Sequence, residues 1–193
     1  ADQLVLKLKH KNNLLYIATN NDGLYIYDLK SKNITNHIDV TKGLLSPEII
    51  DVLPLSNGKL WIANSRHISI YQQASNVLTT IKSPNKSKVV SFVLADNKIF
   101  ASTLGDGILV FNQQGDLLAQ LYKDHSFTEM ITINGDVWVS GQPGLYRISP
   151  KNYQVTMIEN TQQYSFVSSM LVQDDTLYAI HYSGILALDL SEQ

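Results

Sequence analysis

The sequence has no cysteine, so neither a disulfide framework nor a thiolate metal site is available to it. That absence alone assigns no cellular compartment. Positive charge is also scarce: 15 lysines and arginines, of which only Arg66 and Arg147 are arginine, stand against 17 carboxylates for a net charge of −2. Neutralising phosphates needs a dense basic face, so nucleic-acid partners and anionic membrane surfaces are excluded. The one notable cluster, Lys82, Lys86 and Lys88, reads as a solvated loop. Long apolar runs are missing too. The longest, such as 89–95, falls far short of the roughly 20 residues a spanning helix needs, so no membrane insertion by this segment is expected. Any export signal, anchor or output domain is expected outside these residues.

What is present is a repeat. The stretch 135–149, GDVWVSGQPGLYRIS, reads as two short strands joined by a turn on Gln142, Pro143 and Gly144, and four other segments share its plan. In each, an aromatic residue is followed six or seven positions later by a glycine, or once a histidine: Tyr16 and Gly23, Trp61 and His67, Phe100 and Gly107, Trp138 and Gly144, Tyr178 and Gly184. The aromatics are 45, 39, 38 and 40 residues apart. A period near 40 built from β-type segments marks a propeller, in which one small sheet cannot bury both faces without neighbours. Apolar residues recur at every second position and β-branched and aromatic types fill the periodic segments, which argues against helices.

The expected fold is therefore all-β, a β-propeller of about five four-stranded blades at 4–38, 48–81, 89–121, 127–158 and 166–190, forming one array over 1–193. The last blade lacks a fourth strand. Strand counting leaves five inner strands but four outer ones, so the chain is expected to be part of a larger ring or to close by association; closure of a five-bladed ring without overlap is the alternative.

The phrase 43–64, GLLSPEIIDVLPLSNGKLWIAN, together with Gly23-Leu24-Tyr25 and Gly144-Leu145-Tyr146, resembles the two-component-regulator propeller repeat. The resemblance covers essentially the whole chain in degenerate form, with His67 where a turn glycine is usual and Ser56-Asn57-Gly58 for Asp-Gly. It implies a periplasmic, ligand-sensing or dimerising module of bacterial histidine kinases or diguanylate cyclases. A second resemblance, of 176–190 to the quinoprotein-like repeat, lacks that repeat's closing Thr-Gly-x-x-x-Trp element.

Motifs for chemistry are weak. Ser83-Pro84-Asn85-Lys86 and Ser56-Asn57-Gly58-Lys59 fit Ser-x-x-Lys but lie in loops, where the helical spacing that activates the serine is missing. Gly105-Asp106-Gly107 is a hairpin turn without the third glycine of a dinucleotide cradle, and 20–23 lacks the spaced acids of a calcium loop. Two Asn-x-Ser/Thr sequons, at Asn33 and Asn85, are too short a pattern to carry meaning. The five histidines show no i, i+4 pair, so no metal, cofactor or catalytic residue is assigned. In a propeller, connections from distant blades emerge on one face. That face would carry Arg66, His67, Asp106, Gln142, His181 and Tyr182 with the loop residues Lys86, His125 and Tyr164. Taken singly, each reads as an ordinary polar rim residue. As a set, Arg66, His67, His125, His181 and Tyr182 are the candidate ligand-binding residues. The expected function is a non-catalytic sensing or interaction module with a small-molecule ligand or protein partner, and a homodimer or further blades as further partners. A propeller lyase or hydrolase and a passive scaffold remain the alternatives, because fold alone does not select among them.

Overall fold

A computed structural model describes residues 4–81 and 87–192. The Ser83-Pro84-Asn85-Lys86 motif, the sequon at Asn85 and the lysines at 82 and 86 lie outside the described residues. The chain forms two compact units, 1–92 and 93–193. Among the described residues, nineteen strands make five antiparallel sheets, four of four strands and one of three, in the successive meanders of a β-propeller. Helix is confined there to two three-residue 3-10 turns, at Val40–Lys42 and Leu190–Glu192.

In the first unit, β1 (Val5–Lys11), β2 (Leu14–Thr19), β3 (Leu24–Asp28) and β4 (Asn33–Ile38) pair in chain order. The second sheet is β5 (Asp51–Pro54), β6 (Lys59–Asn64), β7 (His67–Gln72) and β8 (Val77–Ile81). One face of the first sheet, carrying Tyr16, Ala18, Leu24 and Ile26, is buried together with Val52, Leu60, Ile62 and Tyr71 of the second. Each such Leu or Ile withdrawn from water contributes about 1.5–3 kcal/mol. Lysines of β1 that enter this layer find partners: Lys9 Nζ lies 3.6 Å from the fully buried Asp51, and Lys11 Nζ donates to Pro54 O at 2.9 Å. The blade expected from 48 begins its first strand at Asp51, and the Ile49 amide goes instead to Thr19 O of the first sheet at 2.8 Å.

The boundary between the units falls within β9 (Val89–Ala95), whose sheet continues with β10 (Lys98–Thr103), β11 (Ile108–Phe111) and β12 (Leu117–Leu121). Next come β13 (Phe127–Ile133), β14 (Asp136–Gly141), β15 (Leu145–Ile148) and β16 (Val155–Met157), and then the three-stranded sheet β17 (Ser169–Gln173), β18 (Thr176–His181) and β19 (Gly184–Asp189). Buried hydroxyls tie adjacent sheets together: Ser102 Oγ donates to Thr128 O at 2.5 Å, and Ser140 Oγ accepts the Val167 amide at 2.7 Å.

The repeated aromatics occupy one register position, three residues before the end of the second strand of each sheet, where Tyr16 faces Ile26, Trp61 faces Ile70, Phe100 faces Val110, Trp138 faces Arg147 and Tyr178 faces Ala187. Four are buried. Tyr178 is 37% exposed, so the five share a register position but the last does not share the burial.

The repeated glycine has two reasons to be glycine. Gly23 and Gly107 take φ of +76° and +72°, and a Cβ on either would stand 2.2 Å from Ile38 O or 2.1 Å from Leu121 O. The end of the outer strand crosses directly over the turn, and each glycine amide donates at 2.8 Å to the passing chain, at Pro47 O and His125 O.

Candidate functional site

The hairpins joining the second and third strands come in two lengths. Thr19 to Gly23 and Thr103 to Gly107 close three-residue loops, whereas Asn64 pairs directly with His67, Gly141 with Gly144 and His181 with Gly184 across two residues. The longer loops satisfy themselves. Thr19 Oγ1 donates to Gly23 O at 2.8 Å and accepts the Asp22 amide at 3.0 Å; Thr103 repeats both bonds with Gly107 O and the Asp106 amide at 2.8 and 2.9 Å. The first of these turns is further bound by side chains that carried no sequence signal. Tyr25 and His37, neighbours across β3 and β4, stack with centroids 4.1 Å apart and ring planes at 1°; Tyr25 donates its hydroxyl to the Asp22 carboxylate, which raises the Tyr25 pKa. His37 Nε2 sits 2.6 Å from Asp22 O.

The two-residue hairpin of the first unit is different. His67 holds the register position that Gly184 holds in its own two-residue hairpin, but here Ser65 takes the positive φ of +57° and His67 begins β7. Arg66 is exposed at the tip. Beneath it, Asn64 is fully buried with neither amide atom hydrogen-bonded, and His67 Nδ1 is buried without a partner among the described residues. An unmade hydrogen bond in such a place costs about 1–3 kcal/mol. Deeper in the same unit, Asp51 accepts the Phe92 amide at 2.7 Å; burial pushes its pKa up, and Lys9 opposes that shift.

In the second unit His181 is 6% exposed, and its ring lies 4.1 Å from that of Tyr182 and edge-on to Tyr164 at 5.8 Å. The Ser183 hydroxyl and amide both approach Nδ1, at 2.8 and 3.4 Å, which makes Nδ1 the acceptor and leaves the proton on Nε2. Nε2 is therefore a buried donor with no acceptor among the described residues. Tyr182 itself is 94% exposed, a bare aromatic face at the hairpin tip. His125 belongs to another cluster: it packs edge-on against Tyr122 at 5.5 Å, and Tyr122 in turn contacts Phe127 and Tyr146. Of the predicted set, Arg66 and His67 thus fall in the first unit and His125, His181 and Tyr182 in the second, where the rings of His181 and Tyr182 meet. A cavity of about 620 Å³ in the second unit is lined by Tyr164, which the sequence placed on the candidate face, and by Arg147, Glu159, Asn160, Leu186 and Leu188, which carried no sequence signal. Among the described residues no group of three or more His, Cys, Asp or Glu is placed to hold a metal ion.

A family model covers residues 12–187, nearly all of the repeat. The chain belongs to the DUF5074 family. That family is described as a domain of unknown function, which assigns no activity to this DUF5074 chain. No curated protein matches it in sequence. Among solved structures, it is similar to the extracellular domains of BT3049 and BT4673 of B. thetaiotaomicron, each described as a hybrid two-component system. The identities are 15% and 16% and the TM-scores 0.79 and 0.78, with 97% and 94% of this chain covered. It is also similar to the computationally designed protein Ika8, at 13% identity, TM-score 0.75 and 94% coverage. The chain spans 27% of the length of each extracellular domain and 57% of the designed protein. At these identities the likeness is one of fold.

Proposed function

We propose that this chain is a non-catalytic sensing or protein-interaction module of a bacterial signal-transduction sensor, working outside the cytoplasm, as its resemblance to the two-component-regulator propeller repeat implies. The observation that carries the reading is at two of the two-residue hairpins, Asn64–His67 and His181–Gly184. Asn64 with His67 and Nε2 of His181 are buried polar groups without partners among the described residues, set beside the exposed Arg66 and Tyr182. A group buried at a cost without a partner is retained where something else supplies one. The expected ligand presents oxygen acceptors to Nε2 of His181 and an apolar or sugar-like face to Tyr182. The likeness to extracellular domains of two-component systems supports the setting.

Thermal-shift screening of the chain against sugars, amino acids and small carboxylic acids tests this. A compound present at about 100 times its Kd stabilises by about 2.7 kcal/mol. The reading expects a compound whose shift is lost in Tyr182→Ala or in Arg66→Ala. A compound bound with equal affinity by both variants, or one chemically converted by the protein, contradicts it.

A further inference from the structure

A cavity of about 420 Å³ lies between the third and fourth sheets, within the second unit. Asp96 reaches it from the β9–β10 turn, Asn134, Gly135 and Asp136 from the β13–β14 turn, and Ser149 and Lys151 from the loop between β15 and β16. Both sheets have their full four strands, and the cavity sits at the end of the fourth sheet opposite the Gly141–Gly144 hairpin. One side chain fixes its walls. Lys98 Nζ donates to Asp96 Oδ2 at 2.5 Å and to Pro150 O at 3.0 Å, which ties the turn of the third sheet to the loop of the fourth. The volume is that of a small-molecule site, and such sites are largely preformed.

The charges around this cavity do not cancel. Asp96 is answered by Lys98, and Asp136 by Arg147, whose Nε lies 3.9 Å from Asp136 Oδ2. Lys98 holds the Asp96 carboxyl below its ordinary pKa, and Lys151 adds to the effect. Lys151 Nζ, Ser149 Oγ and the Asn134 side-chain amide have no hydrogen-bond or ion-pair partner among the described residues. One positive charge is therefore left over, at Lys151, beside two groups that both donate and accept and two carboxylates with further acceptor capacity. Above Gly135 a Cβ would meet nothing within 4 Å, so the space is open.

We infer that this cavity binds a small hydroxy acid, its single carboxylate at Lys151 with Ser149 and Asn134 beside it, and its hydroxyls donating to Asp96 and Asp136. A neutral polyol leaves the Lys151 charge unanswered. An acid without hydroxyls leaves both aspartates without donors, and a second carboxylate would meet them as like charges. This site is separate from the Asn64–His67 and His181–Gly184 hairpins and does not rest on the reading of them.

Calorimetric titration of the chain with D-gluconate, sorbitol and hexanoate tests the inference, because the three share a chain length and differ in carrying both kinds of group, hydroxyls alone or a carboxylate alone. Gluconate is expected to bind, and each of the others to bind about tenfold or more weakly. Lys151→Ala changes an exposed side chain and leaves the fold intact. It should weaken gluconate by about tenfold, as should Lys151→Gln, whereas Lys151→Arg should retain binding. Tyr182→Ala should bind gluconate as the wild type does, and the hairpin screen run in Lys151→Ala reports on the hairpins alone. No binding of gluconate, an equal affinity for sorbitol or hexanoate, an affinity unchanged in Lys151→Ala, or its loss in Tyr182→Ala overturns the inference.

Discussion

The Thr103–Gly107 hairpin and the Asn64–His67 hairpin occupy equivalent places in their sheets and treat their polar atoms in opposite ways. The first satisfies them all: the threonine hydroxyl both donates and accepts, and the glycine amide reaches His125 O. The second buries an asparagine amide and an imidazole nitrogen and leaves them unpaired among the described residues. The same contrast recurs between Thr19–Gly23 and His181–Gly184. The residue that precedes the loop decides the outcome. A threonine hydroxyl before a three-residue loop meets that loop's own amide and the glycine carbonyl, whereas the Ser183 amide reaches only Nδ1 of His181 and leaves Nε2 without an acceptor among the described residues. The threonine loops are structural closures, and two of the three short hairpins, Gly141–Gly144 being the exception, are where polar groups stay unmatched among the described residues.

The largest effect should come from breaking a long loop at its glycine. Gly107→Val places a branched side chain at φ +72° and well inside the contact distance of Leu121 O and Tyr122 O, and should cost more than about 3 kcal/mol or prevent folding. The equivalent change at Gly184, around which a Cβ would meet nothing within 4 Å, should cost markedly less, and denaturant titration of both variants compares them.

A second test uses the buried carboxylate that the loops do not explain. Asp51→Ala removes the acceptor of the Phe92 amide and should destabilise by about 1–3 kcal/mol. Asp51→Asn keeps an acceptor and discards the buried charge. Because burial raises the Asp51 pKa in the folded protein, its contribution is most favourable below the unfolded value of about 3.9 and is lost as pH rises through the folded value. The advantage of Asp51→Asn over wild type should therefore be greater at neutral than at acidic pH; thermal melts across that range would show an advantage that is flat or reversed if the account is wrong. The smallest effects belong to the hairpin tips. Arg66→Ala and Tyr182→Ala touch exposed side chains and should change stability by no more than about 0.5 kcal/mol, so that any loss of binding in them reports on contact with ligand.

Much of this was legible in the sequence. The repeat of aromatics located all five sheets and, with strand counting, the missing fourth strand of the last. Even loop length was on display, since the spacing from aromatic to turn residue is seven in the blades with Thr19 and Thr103 and six where His67, Gly144 and Gly184 close the turn. The shared pattern of a threonine, a following aspartate and a glycine, in 19–23 and 103–107, is equally readable, and it marks a loop closed by the threonine hydroxyl, which the glycine alone does not. What could not be read was the state of Asn64. An asparagine at the end of a strand looks like a turn former, and only burial together with the absence of a bonded partner distinguishes it. The Tyr25 and His37 stack depends on a register set by the bulge between Ile26 and Tyr27, which spacing does not reveal. Nor does sequence show that β1 would turn its leucines out and its lysines in, because alternation fixes that two faces differ and not which one meets a neighbour.

The most direct measurement is a pair of near-isosteric substitutions, Thr103→Val and Asn64→Leu, unfolded side by side. Each removes polar atoms from the same place in a hairpin and keeps the bulk. The account predicts opposite signs: Thr103→Val loses two hydrogen bonds and falls by about 1–2 kcal/mol, while Asn64→Leu sheds an unmet burial cost and melts at or above the wild type. A loss of stability in Asn64→Leu as large as that in Thr103→Val would show that the short hairpins satisfy their polar groups as fully as the long ones, and would contradict the account.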